Sequence, residues 1–440
     1  MLGKRWLKLT RPQHPGSTSW YAAFLLANAA AGAASLLIPL YAHFLGGTAA
    51  DVGTIAAVGS LVGVGASLLW GGISDRTRRR RWFMVMSFAG IGLVYGLLPL
   101  VGGVHGLVVV GAVASLFWMA SSTVSVLVVM ERFPEADWER EIGRLNAYSG
   151  FGWATGQGLG AAWTGMFLGL LGEGVGLRTL GIAVGLLGVA GALVVALLMP
   201  EPMKRVARRD FRGVMVAVGN FLYERFRYGP AHLYYLLKPS QIVRFLQGKT
   251  AFGPDLVLLY YGVFLLMAAF AVFFVPLPVF LRQELGWPSP MIYLAYTAHT
   301  LSSVVAYRWA RRAILRWGHR PAFGLGLLGR AATFALFALA GKALPSWSAA
   351  PLFLLTGITW ATFQLSATTI VSRLAPPGLK GQALGAYNAL TGLGGVVGAV
   401  IGGFIADFLG FDAAFLVAAA VVFLTIPVIL VEARPLVREG

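Results

Sequence analysis

The densest group of ionisable residues in this chain is Gly71-Gly72-Ile73-Ser74-Asp75-Arg76-Thr77-Arg78-Arg79-Arg80, where one carboxylate stands among arginines at the end of an apolar stretch. Asp75 can accept charge-assisted hydrogen bonds from Arg76 or Arg79. It can also face the N-terminus of another helix, where the backbone dipole favours an anion. Glu131, at the end of a second apolar stretch, offers Arg76, Arg79 and Arg80 another carboxylate. Pairs of this kind form and break without any covalent change, so the chemistry they suit is that of a latch. The plainer reading of the same run is that its positive charge only fixes how the chain sits in a membrane.

Covalent chemistry finds little support elsewhere. His14, His43, His105, His232, His299 and His319 are scattered without metal-ligand spacing. With no cysteine there is no thiolate nucleophile, disulfide or thiolate metal site. No Walker-type phosphate loop is present, which disfavours ATP-driven work. No catalytic residue, metal or cofactor is therefore expected. Two ionisable residues stand alone inside apolar stretches, His299 and Arg330. Charges inside a bilayer are costly and usually functional. His299 could relay a proton near neutral pH, or be a hydrogen-bonded packing residue. Arg330 could bind an anionic solute, or anchor carbonyls of a neighbouring helix. No Asp or Glu occupies the middle of a stretch, so coupling through a mid-membrane carboxylate has no candidate.

The elements that must position these residues are membrane helices. The 440 residues are 58% hydrophobic and 12% charged, roughly half the charged share of a soluble domain. Too few polar side chains remain to clothe a water-facing surface. Apolar runs of about 18 or more residues cross a bilayer as helices. A barrel would instead show alternating segments of about ten residues. The runs predict an all-α membrane protein with twelve transmembrane helices, at about 20–44, 52–73, 82–103, 106–130, 146–170, 177–199, 255–280, 289–309, 320–341, 348–370, 384–407 and 411–431. The 57 glycines then read as small residues that let helix backbones approach.

A net charge of +18 would suit nucleic acid, but its placement argues otherwise. The connections expected outside hold only Arg178, Arg282 and Lys342, and Arg330 lies within a span. All remaining Lys and Arg fall in the tails and in or at the borders of the opposite connections. This asymmetry predicts a multi-pass protein of the cell (inner) membrane with both termini cytoplasmic, and no nucleic-acid partner. Residues 1–19 are basic but lack the apolar core and cleavage site of a signal peptide. Residues 1–199 and 255–440 are expected to form two six-helix halves. The joint at 200–254 mixes Lys204, Arg205, Arg208, Arg209 and Arg212 with Val214, Val218, Phe221 and Leu222 at helical spacing. That pattern predicts an amphipathic helix on anionic lipid at the inner surface.

The halves repeat. Under a shift of 242 residues, Gly143, Asn146, Ala147, Gly150, Gly152, Gly156 and Gly160 face Gly385, Asn388, Ala389, Gly392, Gly394, Gly398 and Gly402. A shift of 240 sets Arg76 and Arg80 against Arg316 and Arg320. Parallel six-helix repeats define one large transporter architecture.

On these residues the chain resembles the major facilitator superfamily over essentially its whole length. The family pattern after the second helix is Gly-x-x-x-Asp-Arg-x-Gly-Arg-Arg, and five of its six fixed positions match, with Arg78 replacing the second glycine. The second-half counterpart, Arg311 to Arg320, keeps basic residues and Gly318 but has no aspartate. The resemblance implies a monomeric secondary transporter whose halves rock about a central site. It implies that Asp75, Arg76, Arg79, Arg80 and Glu131 form a gate on the inner side. Helices 1, 4, 7 and 10 would line the cavity, with help from 2, 5, 8 and 11. The candidates there are Asn28, Trp118, Ser121, Ser122, Ser125, Trp153, Gln157, Phe270, Phe273, Tyr296, Trp360, Gln364, Asn388 and Thr391, with His299 and Arg330 as coupling candidates.

That aromatic and neutral-polar mixture suits a lipophilic or amphipathic small molecule better than a polyanion. Gly150 to Gly160 resembles the glycine-rich segment of the family's antiporters, without its usual proline, and also reads simply as close packing. Helix 4 lacks the central arginine that many drug–proton antiporters carry. The expected function is secondary transport by alternating access, with proton-coupled efflux first. Proton-coupled uptake of a small metabolite is the alternative, and a channel or membrane enzyme a more distant one.

Overall fold

A computed structural model describes residues 18–77, 79–134, 137–199, 254–340, 342–375 and 380–432. The amphipathic helix expected at 200–254 lies, but for Pro254, outside the described residues. Twelve long helices carry the fold: α1 Ala22–Phe44, α2 Ala49–Thr77, α3 Arg80–Gly96, α4 Val104–Arg132, α5 Trp138–Leu171, α6 Glu173–Leu198, α7 Pro254–Phe274, α8 Ser289–Trp317, α9 His319–Phe337, α10 Ala349–Leu374, α11 Lys380–Leu409 and α12 Phe411–Glu432. All twelve expected spans are therefore present as helices.

Among the described residues, nine helical stretches are long and apolar enough to cross a membrane. A shorter apolar stretch, Pro321–Phe337, falls in α9. The two remaining helices have physical reasons for lower hydropathy. Glycine dilutes α5, while hydroxyl residues and Arg308, Arg311, Arg312 and Arg316 dilute α8.

Several ends differ from those read off the sequence. Helix α5 begins at Trp138 rather than near 146, and α8 runs to Trp317 rather than 309. Hydropathy sees only the lipid-facing length, whereas backbone hydrogen bonding continues wherever polar side chains can be solvated. Helix α3 stops early, at Gly96, and a short turn at Leu98–Leu100 with Pro99 follows. Helix α7 breaks after Phe274 at Val275-Pro276 and resumes as Leu277–Gln283. Pro276 lacks the N–H that a continuing helix would need.

The chain divides into two compact units, Met1–Leu45 with Val62–Tyr228, and Gly46–Leu61 with Gly229–Gly440. Each repeats one packing scheme. Helix α1 packs on α5 and α6 and α3 on α4 and α6, while α7 packs on α11 and α12 and α9 on α10 and α12. The repeated glycines make these contacts. Gly152 and Gly156 of α5 lie against the Leu25 and Ala29 carbonyls of α1, and Gly394 and Gly398 of α11 lie against the Phe264 and Ala268 carbonyls of α7. A methyl at any of the four would overlap backbone. The turns repeat too, with positive φ at Gly46 and Gly286 and at Gly172 and Gly410, a conformation that glycine adopts without a Cβ clash.

The first unit buries Trp20, Tyr21, Phe24, Phe83 and Phe88 together. In the second, the Phe273 ring stacks on Phe334 at 3.9 Å, with Phe337 and Phe415 packed around it. The start of α2 belongs to this second unit for a visible reason. Asp407 accepts from the backbone N–H of Ala49 at 3.0 Å and of Ala50 at 2.9 Å. A carboxylate at a helix N-terminus satisfies otherwise unpaired donors and complements the dipole. Gly53 and Gly403 let α2 and α11 meet at backbone distance there.

Candidate functional site

Two clusters gather the ionisable groups, one in each unit. The first lies where the end of α2 and the start of α3 meet the end of α4. Arg80 is only 5% exposed. Its Nη2 donates to Glu131 Oε1 at 2.8 Å, its Nε reaches the same oxygen at 3.2 Å, and its Nη1 donates to Ser74 Oγ. The Glu131 side chain is 41% exposed, so water screens the pair. Arg79 precedes α3 and is exposed. Asp75 and Arg76 lie in the last turn of α2, and their side chains are outside the described part. Of the five latch candidates, the structure thus brings Arg80 and Glu131 together within one unit.

Sequence reasoning missed a neighbouring carboxylate, Glu141, which is 1% exposed. Tyr21 Oη donates to its Oε2 at 3.3 Å, and Arg140 and Arg144 donate to its Oε1 at 3.1 and 3.0 Å. Because α5 starts eight residues earlier than hydropathy suggests (Trp138 against 146), this face of its first turns packs inward beside the buried Leu145. The available signal was spacing, since Glu141 and Leu145 are four apart on one helical face. In the second-half loop, His319 opens α9; burial first, and the Arg373 charge second, hold its pKa below the ordinary histidine value.

The second cluster surrounds Arg330, near the middle of α9 and fully buried. Its Nη1 donates to Thr356 O at 2.7 Å and Thr359 Oγ1 at 2.9 Å, both on α10. Its Nε and Nη2 are buried and have no hydrogen-bond partner among the described residues. Four rings enclose the guanidinium, Phe270 at 4.4 Å, Phe274 at 5.3 Å, Phe334 at 5.4 Å and Trp360 at 5.6 Å from Cζ to centroid. A cation over a ring gains about 0.5–2 kcal/mol. Removing an ion from water costs several kcal/mol, so the rings offset only part of the penalty.

Helix α8 joins this cluster through His299, whose Nδ1 lies 2.8 Å from Thr356 Oγ1. Thr356 Oγ1 itself donates to Phe353 O at 2.7 Å. The hydroxyl hydrogen being committed, Nδ1 carries the proton and donates; the assignment follows from the bonding pattern. Gly357 makes the approach possible, since a Cβ there would overlap Ser302 Oγ and the His299 carbonyl.

The other cavity candidates separate by surroundings. Asn28, Ser121, Ser125 and Thr391 give their side-chain donors to carbonyls of their own helices, those of Phe24, Trp118, Ser122 and Asn388. Gln157 is 2% exposed. Phe273 is fully buried in the aromatic core of its unit. Phe270 and Trp360 belong to the Arg330 cage, and Tyr296 packs on Phe353 with ring centroids 5.1 Å apart. Trp118, Trp153 and Gln364 are half-buried, while Ser122 and Asn388 are exposed.

The family model described as Major Facilitator Superfamily matches residues 20–246 and 259–439. The tetracenomycin C resistance and export protein of Streptomyces glaucescens is 33% identical over 103 residues, 23% of this chain and 18% of that protein. The puromycin resistance protein pur8 of Streptomyces alboniger is 31% identical over 132 residues, 29% of this chain and 25% of that protein. The matched stretch thus spans a quarter or less of either relative. Among solved structures, a mutant of the nucleoside transporter NupG superposes with a TM-score of 0.72 at 13% identity, covering 94% of this chain and 99% of that one. A POT family transporter in complex with a thioalcohol-conjugated peptide gives 0.69 at 13%, covering 94% of each. At such identities the likeness concerns the fold.

Proposed function

The chain belongs to the Major Facilitator Superfamily, and on that premise we propose that this transporter exports a small lipophilic or amphipathic solute by alternating access, driven by protons. The observation that carries the reading is the duplicated packing. Gly152 and Gly156 fix α5 on α1 as Gly394 and Gly398 fix α11 on α7, and this repeat supports the reading of two six-helix halves of the kind that rock about a central site. Export is supported by the two Streptomyces relatives, one named for resistance and export and the other for resistance.

The neutral-polar and aromatic candidates on α1, α4, α5, α7, α8, α10 and α11 support a lipophilic solute. His299, the ionisable residue with a pKa ordinarily near neutrality in the second cluster, is the proposed proton carrier. Asp75, Arg76, Arg79, Arg80 and Glu131 are proposed as the inner gate. We place the chain in the cell membrane as a monomer, with both termini cytoplasmic and the 200–254 segment on anionic lipid.

The test is flux in proteoliposomes with and without an imposed pH gradient, using ethidium and radiolabelled benzenesulfonate as amphipathic solutes. Saturable, gradient-dependent release of at least one is expected. Linear flux indifferent to the gradient would indicate a pore and overturn the reading. Gradient-driven movement with the proton, rather than against it, would replace export by uptake.

A further inference from the structure

We propose that Arg330 anchors an anion site inside the second unit, whose ligand is an organic monoanion, a carboxylate or sulfonate carried on an aryl ring. The inference deepens the transport reading, on which it rests for its biological use, by giving the solute a charge.

One edge of the Arg330 guanidinium makes no hydrogen bond among the described residues. Arginine carries five N–H donors in a rigid plane. Both bonds that Arg330 makes come from Nη1. Nε and Nη2 lie along the opposite edge, where two N–H groups point in parallel, and both are buried without a partner among the described residues. That edge matches the two oxygens of a carboxylate or sulfonate. A purely structural arginine would be expected to aim these donors at carbonyls, which a membrane helix pair supplies in abundance.

Charge gives the second observation. None of the ion pairs among the described residues includes Arg330. A neutral acceptor would satisfy the N–H groups yet leave the buried cation uncompensated, and an anion does both. The surrounding rings supply the rest of the specificity. Phe270 and Phe334 are buried, while Phe274 and Trp360 are half-buried. All four rings lie within 5.6 Å of the guanidinium carbon, and their faces and edges are the surfaces on which an aryl body would pack. A small inorganic anion would leave those contacts unused.

The test uses the full-length protein in detergent at constant ionic strength, read by thermal shift and by equilibrium binding of radiolabelled benzenesulfonate. Benzenesulfonate should stabilise the wild type, whereas neutral benzenesulfonamide and the non-aromatic methanesulfonate should not. Arg330→Gln should weaken benzenesulfonate binding on the order of tenfold or more, and Arg330→Lys should recover part of it. Equal stabilisation by benzenesulfonamide or methanesulfonate, or undiminished binding to Arg330→Gln, would overturn the proposal. The wild-type comparison decides the matter even where the variant does not fold. Failure of this binding alongside gradient-driven ethidium flux removes the anion site and leaves the transport reading standing. Arg330-dependent binding with no flux of any solute does the reverse.

Discussion

At the scale of single residues, two buried arginines solve the same problem in different ways. Arg80 finds a carboxylate 2.8 Å away and a serine hydroxyl. Arg330 finds one carbonyl, one hydroxyl and four rings. The Arg80 pair yields a contrast between two substitutions. Glu131→Gln leaves a buried guanidinium without its counter-charge, but Glu131 is 41% exposed and water softens the loss. A cost of about 1 kcal/mol is expected, read as a lower melting temperature in detergent. Asp75→Asn, by contrast, is expected to leave melting and membrane insertion unchanged while lowering solute flux. An unchanged flux would remove Asp75 from the gate. Arg80, Glu131 and Arg330 could be picked out in the sequence by charge alone, and Glu131 could be offered to Arg80 as its counter-charge, but the hydroxyl partners could not be named. Ser74, Thr356 and Thr359 are ordinary hydroxyl residues, and whether one meets an arginine depends on how successive helices are rotated against each other. Glu141 was hidden for the opposite reason, because its helix begins before the apolar stretch does.

At the scale of helices, the repeat was legible and so was its use. The α5 glycines had two readings, an antiporter signature or close packing, and the matching contacts of Gly156 with the Ala29 carbonyl and of Gly398 on α11 with the Ala268 carbonyl favour packing. Lipid tails are as apolar as leucine, so helices associate through contact rather than through water exclusion. A Cβ at the seam must therefore move backbone. Gly398→Val is expected to cost more than the roughly 1–3 kcal/mol typical of overpacking, because Ala268 O and Cα cannot rotate away. Gly395, one turn earlier on α11, is the control, since an added methyl there would meet nothing within 4 Å. Gly395→Ala should be neutral or mildly stabilising, by up to about 1 kcal/mol. Melting curves and gel-filtration profiles of the two proteins in one detergent check the contrast, and equal behaviour would refute the packing account. What the sequence did not convey at this scale was where helices end. The first turns of α5 and the last turns of α8 are polar, and a hydropathy window cannot distinguish a solvated helical turn from a loop.

At the scale of the molecule, the distribution of positive charge is the feature that orients everything else. The connection after α8 follows Arg308, Arg311, Arg312 and Arg316, whereas the connection after α9 offers only Lys342, paired with Asp412. Translocating the first across a bilayer would carry four guanidinium groups through hydrocarbon, at about 2.5–3.5 kcal/mol each on insertion scales. The second costs far less. This difference argues for the proposed orientation with the α8–α9 connection inside, and because each helix reverses direction that orientation would place both termini inside as well. The absence of cysteine from the chain makes this directly measurable, since any introduced thiol is the sole target of a maleimide. Trp317 ends α8 at the first connection and Trp347 lies on the second, and they are 52% and 67% exposed. In intact cells a membrane-impermeant maleimide should label Trp347→Cys and spare Trp317→Cys, which should react only after permeabilisation. The reverse pattern would invert the topology. It would also move the Arg80–Glu131 pair to the outer face, and with it the side on which Asp75 could close the transporter.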